Sequence, residues 1–275
     1  MRGIRSGPVR LPSLGHALYA VILIAIGIIG LNLGEFTAIW SGYPKAMPGR
    51  TAVAYLCAVV CLGTGLGLFF RRTAVIAAQV LLAYLFAWFL LFRIRLIVLA
   101  PTSSLTWWAC GETAAMMAGA WVLTVWFAGE GGARSGFVTG ATGLRVARTL
   151  SGLALIPFGV AHFTYLERTA SLVPAWLPWH NGWAYFTGGA FIAAGVAIAV
   201  GVLPKLAATL SAWEMGLFTI IVWVPILLRG GTAGDWNEFV DSWALTAAAC
   251  LVAESYRGSL LSFQTPRSIE AIATP

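Results

Sequence analysis

Six ionisable side chains interrupt the apolar stretches of this 275-residue chain, and their chemistry needs an explanation. They are Arg93, Arg95, Glu112, His162, Glu214 and Asp241. Carboxylates and an imidazole can hold and exchange protons, and an arginine can donate hydrogen bonds to oxygen atoms. Ionisable groups at membrane depth are costly, so they usually pair with one another or line a functional site. These residues are therefore the first candidates for a binding site.

The depth of each group follows from its distance to the end of its predicted helix, at about 1.5 Å per residue. Four of the groups fall in the outer half of the membrane, and Glu214 falls nearer the middle. The third and fourth helices form a hairpin, so an ion pair between Arg93 or Arg95 and Glu112 is expected. We expect Glu112, His162 and Asp241 to point into the helix bundle and to form an outward-facing polar pocket with Arg93 and Glu214. The alternative is that these groups snorkel, or pair only to fasten helices together.

The composition indicates which elements hold these residues. Hydrophobic residues make up 59% of the chain and charged residues only 10%, whereas soluble domains carry about 25% charged residues. So little charge predicts an integral membrane protein. The net charge is +7, but the basic residues lie mostly between apolar runs. They therefore favour roles in membrane topology and in contacts with the lipid bilayer, and not nucleic-acid binding.

Eight apolar runs are long enough to be transmembrane helices, for which about 20 residues are needed. The predicted helices cover residues 14–36, 51–70, 73–99, 104–127, 148–166, 182–201, 204–228 and 236–256. The first run is longer than a signal-peptide core and is expected to be retained. Eleven Lys and Arg residues are assigned to one side of the membrane, against six on the other side, where Arg93 and Arg95 within the third run are included. This bias predicts a multi-pass inner-membrane protein with both termini in the cytoplasm.

The two halves of the chain match each other at one constant offset along the sequence. Pro44 and Pro48 match Pro174 and Pro178, and at the same offset Gly65 matches Gly195. Because each half contains four helices, both halves enter the membrane from the same side, which predicts a pseudo-two-fold axis along the membrane normal. The predicted fold is all-α, with two tandem four-helix bundles. Their boundaries are residues 1–130 and 131–275, with a Gly-rich linker at 129–144.

The sequence patterns of several common activities are absent from the chain. The chain has no Walker A loop, no H-E-x-x-H motif and no candidate metal site. It has three histidines, and only His162 and His180 lie where they could form an axial pair for haem. The four cysteines lie within apolar runs and are expected to be small buried residues. No residue is assigned a catalytic role.

The second half carries a recognisable pattern. A first helix ends in G-V-A-H-F, a loop reads S-L-V-P-A-W-L-P, and the next helix reads W-A-Y-F-T-G-G-A-F-I-A-A-G. This pattern resembles the DoxX family of small bacterial membrane proteins, best over residues 148–255. Members of that family are usually single four-helix units, so this chain resembles a duplicated relative. In the first half, Gly30 or Leu31 falls where His162 stands.

The resemblance implies two classes of function. Some DoxX proteins are linked to thiosulfate:quinone oxidoreduction, and others to oxidative-stress complexes. The four-helix fold is also similar to that of EXPERA proteins, which hold sterols or amines in a membrane pocket. The first hypothesis is a membrane subunit that binds a small molecule, or a periplasmic or membrane protein partner. The second is a quinone-interacting subunit of an oxidoreductase, with quinone as its ligand. A transporter is a third and weaker hypothesis. Transporter sites are typically formed by a pair of broken helices, and no such pair is apparent in the sequence.

Overall fold

The computed structural model describes residues 13–70, 72–130 and 136–256, which form eight long helices and short connecting segments. The long helices, numbered with the short helix α6 in chain order, are α1 (Leu14–Leu33), α2 (Arg50–Gly67), α3 (Ala74–Leu99), α4 (Ser104–Glu130), α5 (Ala141–Thr164), α7 (His180–Val200), α8 (Pro204–Leu228) and α9 (Ala233–Ser255). The short helix α6 (Leu166–Ser171) follows α5, and a 3₁₀ turn (Ala38–Trp40) precedes α2. The basic N-terminus, Arg71, part of the predicted linker and the tail from Gly258 lie outside the described residues.

Six of these helices are long and apolar enough to cross a membrane, which makes the chain a helical, multi-pass membrane protein. They are α1, α2, α3, α5, α7 and α8. The two others, α4 and α9, pack against each other and against helices of both halves. In α4, every residue from Thr113 to Ala120 is buried. Helices that are enclosed by other helices need less apolar surface than helices that face lipid.

The start of α5 differs from the prediction made from sequence. The helix begins at Ala141, seven residues before the predicted boundary at 148. Arg145 and Arg148 therefore lie on the helix and not in a loop. Arg148 donates hydrogen bonds to the hydroxyl and the carbonyl of Ser255 and lies over the ring of Tyr256, 3.9 Å from its centroid. These contacts satisfy the guanidinium, so the helix can include a charged residue at its base.

The packing of the helices interleaves the two halves of the chain. In each half, the first helix packs on the second, the second on the third and the third on the fourth. The fourth helices, α4 and α9, also pack on each other. In addition, each fourth helix packs on the first helix of the other half, α4 on α5 and α9 on α1. The halves thus share a centre made of α4 and α9.

The third helices of the two halves share an irregularity. A π-helical turn occupies Phe89–Arg93 in α3, and another occupies Thr219–Trp223 in α8. The two turns are equivalent, because the offset that takes Pro44 to Pro174 also takes Phe89 to Thr219. Each sets one extra residue into the helix and leaves the helix continuous on both sides. Nothing in the sequence pattern predicts these turns.

Close contacts between helices also correspond. A Cβ added at Gly27 would meet Ala58 and Leu62, and one added at Gly159 would meet Gly188 and Ile192. Gly188 and Ile192 follow Ala58 and Leu62 at the same spacing in the sequence that separates Pro44 from Pro174. Because these glycines have no Cβ, the first and second helices of each half can pack with their backbones close together.

The N-terminus of α9 is stabilised by a capping box. The hydroxyl of Thr232 accepts from the amide of Asp235, and the Asp235 carboxylate accepts from the Thr232 amide. We expect Thr232→Ala to lower the free energy of unfolding by about 1 kcal/mol, because an N-cap hydroxyl is lost. Chemical unfolding in detergent measures the change, with Thr232→Ser as the matched control. A Thr232→Ala protein as stable as the parent would contradict this role.

Candidate functional site

Arg93 lies in the π turn of α3 and is fully buried. Its guanidinium donates three hydrogen bonds to neutral oxygen atoms: Nε to the Thr113 hydroxyl at 2.8 Å, one terminal nitrogen to the Ser41 hydroxyl at 2.9 Å, and the other to the Ile39 carbonyl at 3.1 Å. Arg93 thereby joins α3, α4 and the segment that precedes α2. A buried charge needs such partners, because water is not available to solvate it.

Glu112 is half-buried on α4, and its partner is not the one expected from the sequence. Among the described residues, no ion pair within about 4 Å joins Arg93 to Glu112. Instead, the Glu112 carboxylate accepts a hydrogen bond of 2.6 Å from the indole Nε1 of Trp108, one turn earlier on α4. The expected ion pair is absent because the next residue, Thr113, takes the Nε of Arg93. Glu112 remains close enough to Arg93 for an electrostatic attraction.

Asp241 is buried on α9, opposite α4. It interacts electrostatically with Glu112 and with Arg93, and Glu238 lies one turn before it. Its Oδ1 atom is buried and has no hydrogen-bond partner among the residues that the structure describes. Arg93, Glu112 and Asp241 therefore gather around the contact between α4 and α9. We call these three residues the polar cluster.

His162 lies near the end of α5 and is buried. Its Nδ1 is 2.7 Å from the carbonyl oxygen of Phe158. Because a carbonyl can only accept, Nδ1 carries the proton in this contact, and Nε2 is the nitrogen left for another partner. The imidazole lies parallel to the Trp108 ring, with an interplanar angle of 4° and centroids 6.5 Å apart. Trp108 thus lies beside His162 and donates a hydrogen bond to Glu112.

The backbone of α7 makes room for His162. A Cβ added at Gly188 would come within 2.7 Å of the His162 Cβ. In the first half, the corresponding contact joins Gly30 of α1 to Ala58 of α2, where an added Cβ at Gly30 would meet the Ala58 Cβ at 2.8 Å. The glycine of this contact is on the first helix in the first half (Gly30) and on the second helix in the second half (Gly188). Gly30 is the counterpart of His162.

Glu214 lies on α8, apart from the polar cluster. It is half-buried, and its Oε1 atom is buried without a hydrogen-bond partner in the described part of the chain. No charged side chain among the described residues interacts with its carboxyl group. Of the five residues predicted from sequence, three form the cluster, His162 connects to it through Trp108, and Glu214 stands alone.

Three neutral residues of the site were missed by the search for ionisable groups. They are Ser41, Trp108 and Thr113. Ser41 is one of the residues that match between the halves, as it falls opposite Ser171, and Trp108 precedes Glu112 by one helical turn. These spacings were visible in the sequence, but they do not indicate that both residues contact charged groups. Within the described ranges, no group of three or more His, Cys, Asp and Glu side chains is placed to bind a metal ion.

Comparisons with family models, curated proteins and solved structures found no match to this chain. The site itself is therefore the guide to function. It offers an unpartnered carboxylate oxygen, a half-buried carboxylate, an imidazole nitrogen and an aromatic plane. These groups can accept hydrogen bonds from a polar head and stack against a ring.

Proposed function

We propose that this chain is a membrane subunit that binds a small amphiphile, whose polar head donates a hydrogen bond to Asp241. Glu112 and His162 lie beside that position and contribute further polar contacts. The apolar part of the ligand remains among the apolar side chains of the helices. Hydroquinones and amines are two classes of amphiphile whose heads carry such donors.

The observation that carries this proposal is the unpartnered Oδ1 of Asp241. A buried polar atom without a partner typically costs about 1–3 kcal/mol, and more when the group is charged. Buried polar groups are nearly always hydrogen-bonded, so each exception needs an explanation. A ligand head that donates to Oδ1 removes the cost of this unpartnered atom. The positive charge of Arg93 stays close to Glu112 and Asp241.

The arrangement of His162 and Trp108 supports a ligand with a ring. The imidazole of His162 and the indole of Trp108 are parallel, and the indole also donates a hydrogen bond to Glu112. The Nε2 atom of His162, which carries no proton when Nδ1 does, can accept a hydrogen bond from a hydroxyl on such a ring. This favours the quinone class within the proposal.

We further propose that all eight long helices span the inner membrane, as two four-helix units with cytoplasmic termini and the polar cluster in the outer half. The matching π turns and the matching glycine contacts support an internal repeat. The sequence resemblance to the DoxX family is compatible with this arrangement. Under the oxidoreductase alternative, the same site takes a quinone and a periplasmic or membrane partner supplies the electrons.

Mass spectrometry of the purified protein tests the proposal, because a bound amphiphile should co-purify in stoichiometric amount. Asp241→Asn should weaken binding of that ligand by about 10- to 100-fold, since one of the two acceptor oxygens is replaced by a donor group. The variant should unfold no more readily than the parent, because the buried Oδ1 has no hydrogen bond within the described chain to lose. Added ubiquinol and a long-chain amine then separate the two ligand classes.

The matched control is Glu167→Gln, which removes one negative charge at an exposed position after α5. It should bind the ligand as the parent protein does. An Asp241→Asn variant that retains full binding would contradict the proposed site, and so would a purified protein that contains no amphiphile and binds neither probe.

Transport is a second candidate, which the paired π turns favour. Such turns are frequent at functional sites, and equivalent irregularities in two repeats often flank a substrate path. Here Arg93 lies in one turn, and Thr219, which contacts Ser242 and Thr246 of α9, lies in the other. Uptake of the co-purifying ligand into proteoliposomes would support transport. A ligand that binds but never crosses would leave binding as the function.

A further inference from the structure

Trp179 adopts a backbone conformation that is unusual for a tryptophan. It lies just before α7 with φ 60° and ψ 50°, in the left-handed region. Side chains with a Cβ are disfavoured there, because the Cβ crowds the following carbonyl. The equivalent residue of the first half is Gly49, just before α2, with φ 75° and ψ 16°. The first half therefore meets the same backbone requirement with glycine, which has no such penalty.

The strain at Trp179 is not explained by packing within the chain. Its side chain is 85% exposed, the most exposed large hydrophobic residue of the described chain. Strained backbone positions persist where the surrounding structure holds them, and they cluster at functional sites. A tryptophan at this position therefore indicates a contact with something outside the chain.

Trp179 forms one wall of an apolar groove on the first two turns of α7. The groove has a volume of about 280 Å³ and is lined by Trp179, Gly182, Trp183 and Phe186. These residues recur every three or four positions and so share one face of the helix. Gly182 leaves the floor open: a Cβ placed there would touch the Trp179 Cβ at 3.4 Å. The volume is close to the lower end for ligand pockets, about 300 Å³.

The groove faces away from the polar cluster and towards lipid. Gly188, on α7, contacts His162 of α5, whereas Phe186 is 67% exposed on another face. Beside it, Tyr185 is half exposed, so the groove is continuous with apolar surface on a helix that is long enough to cross the membrane. It lies at the first turn of that helix, where a spanning helix meets the headgroup region and where tryptophan is favoured.

We propose that Trp179, Trp183 and Phe186 form a binding groove for an acyl chain of a membrane phospholipid. The chain lies along the first two turns of α7, and the indole of Trp179 closes the groove at the headgroup end. The corresponding place in the first half has Gly49 and carries no such groove wall. This inference is independent of the amphiphile site at Asp241, and either can fail alone.

Trp179→Gly separates this role from a structural one, because the two roles predict opposite changes in stability. In delipidated detergent, the variant should be at least as stable to heat as the parent, since glycine relieves the left-handed strain. At the same time, phospholipid retained after purification, counted by mass spectrometry, should fall by one molecule per protein. Quenching of tryptophan fluorescence by phospholipids with brominated acyl chains should also decrease.

Leu203→Gly is the matched control. Leu203 also has a left-handed backbone, φ 45°, just before α8, and is 63% exposed, but it does not line the groove. Its replacement should relieve strain without changing the lipid count. Phe186→Ala, which keeps the backbone of Trp179, should lose the same phospholipid as Trp179→Gly does. An unchanged lipid count in both groove variants, or a loss of heat stability of Trp179→Gly in delipidated detergent, would overturn the proposal.

Discussion

Replacing Arg93 with methionine should destabilise the protein by about 3–5 kcal/mol, which is typical when one partner of a buried charged network is removed. The substitution leaves the Ser41 and Thr113 hydroxyls and the Ile39 carbonyl without the donors that they now have. It also removes the positive charge that lies near Glu112 and Asp241. Both effects act in the same direction, so this should be the largest effect of any single substitution proposed for this chain.

Unfolding in detergent, followed by tryptophan fluorescence, measures the loss. Arg95→Met is the matched control, because Arg95 lies two residues later on the same helix and is exposed; it should change stability by no more than about 0.5 kcal/mol. Arg93→Lys should fall between the two, since an ammonium keeps the charge but cannot reproduce the planar fork of donors. If Arg93→Met proved as stable as Arg95→Met, the hydrogen bonds of Arg93 would not hold α3 to α4.

Adjacent glycines on α7 should respond in opposite ways to the same substitution. Gly188→Ala places a Cβ 2.7 Å from the His162 Cβ and 3.1 Å from the Gly159 carbonyl, and should cost about 1–3 kcal/mol through overpacking. Gly189→Ala meets nothing within 4 Å and should stabilise the helix by up to about 1 kcal/mol. The two variants have the same composition, so their difference in unfolding free energy isolates the contact with His162.

The double variant His162→Gly with Gly188→Ala tests where the clash arises. It reproduces in the second half the small residues of the first half, where Gly30 faces Ala58. We expect Gly188→Ala to cost less in the His162→Gly background than in the parent, since the two substitutions share one contact and should not be additive. An equal cost in both backgrounds would show that the clash lies with Gly159 and not with His162.

Much of the helical architecture was predictable because hydropathy and length alone specify it. The boundaries of α3 and α8 were close to those predicted, since apolar runs and flanking prolines mark them. The π turns within these helices were not predictable, because they leave the hydropathy pattern unchanged. The predicted start of α5 was wrong by seven residues. Arginines such as Arg145 and Arg148 usually mark a loop, and the partner of Arg148 is more than 100 residues away.

The sequence predicted that Arg93, Glu112 and Asp241 belong to one polar pocket, because ionisable groups are costly in a membrane, but it did not predict which atoms they contact. Their partners depend on side-chain geometry, and this is why Arg93 binds Thr113 and not Glu112. The conformation of Trp179 was also hidden, because a left-handed backbone at a non-glycine residue has no signature in the sequence.

The contact between α1 and α9 has a consequence for how the chain is made. The amide of Gly15, at the start of α1, donates to the carboxylate of Glu254, 239 residues later at the end of α9. Of the described helices, α1 is synthesised first and α9 last, so the packing of α1 is completed only after all the other described helices have been made. Until then, the face of α1 that receives α9 is uncovered.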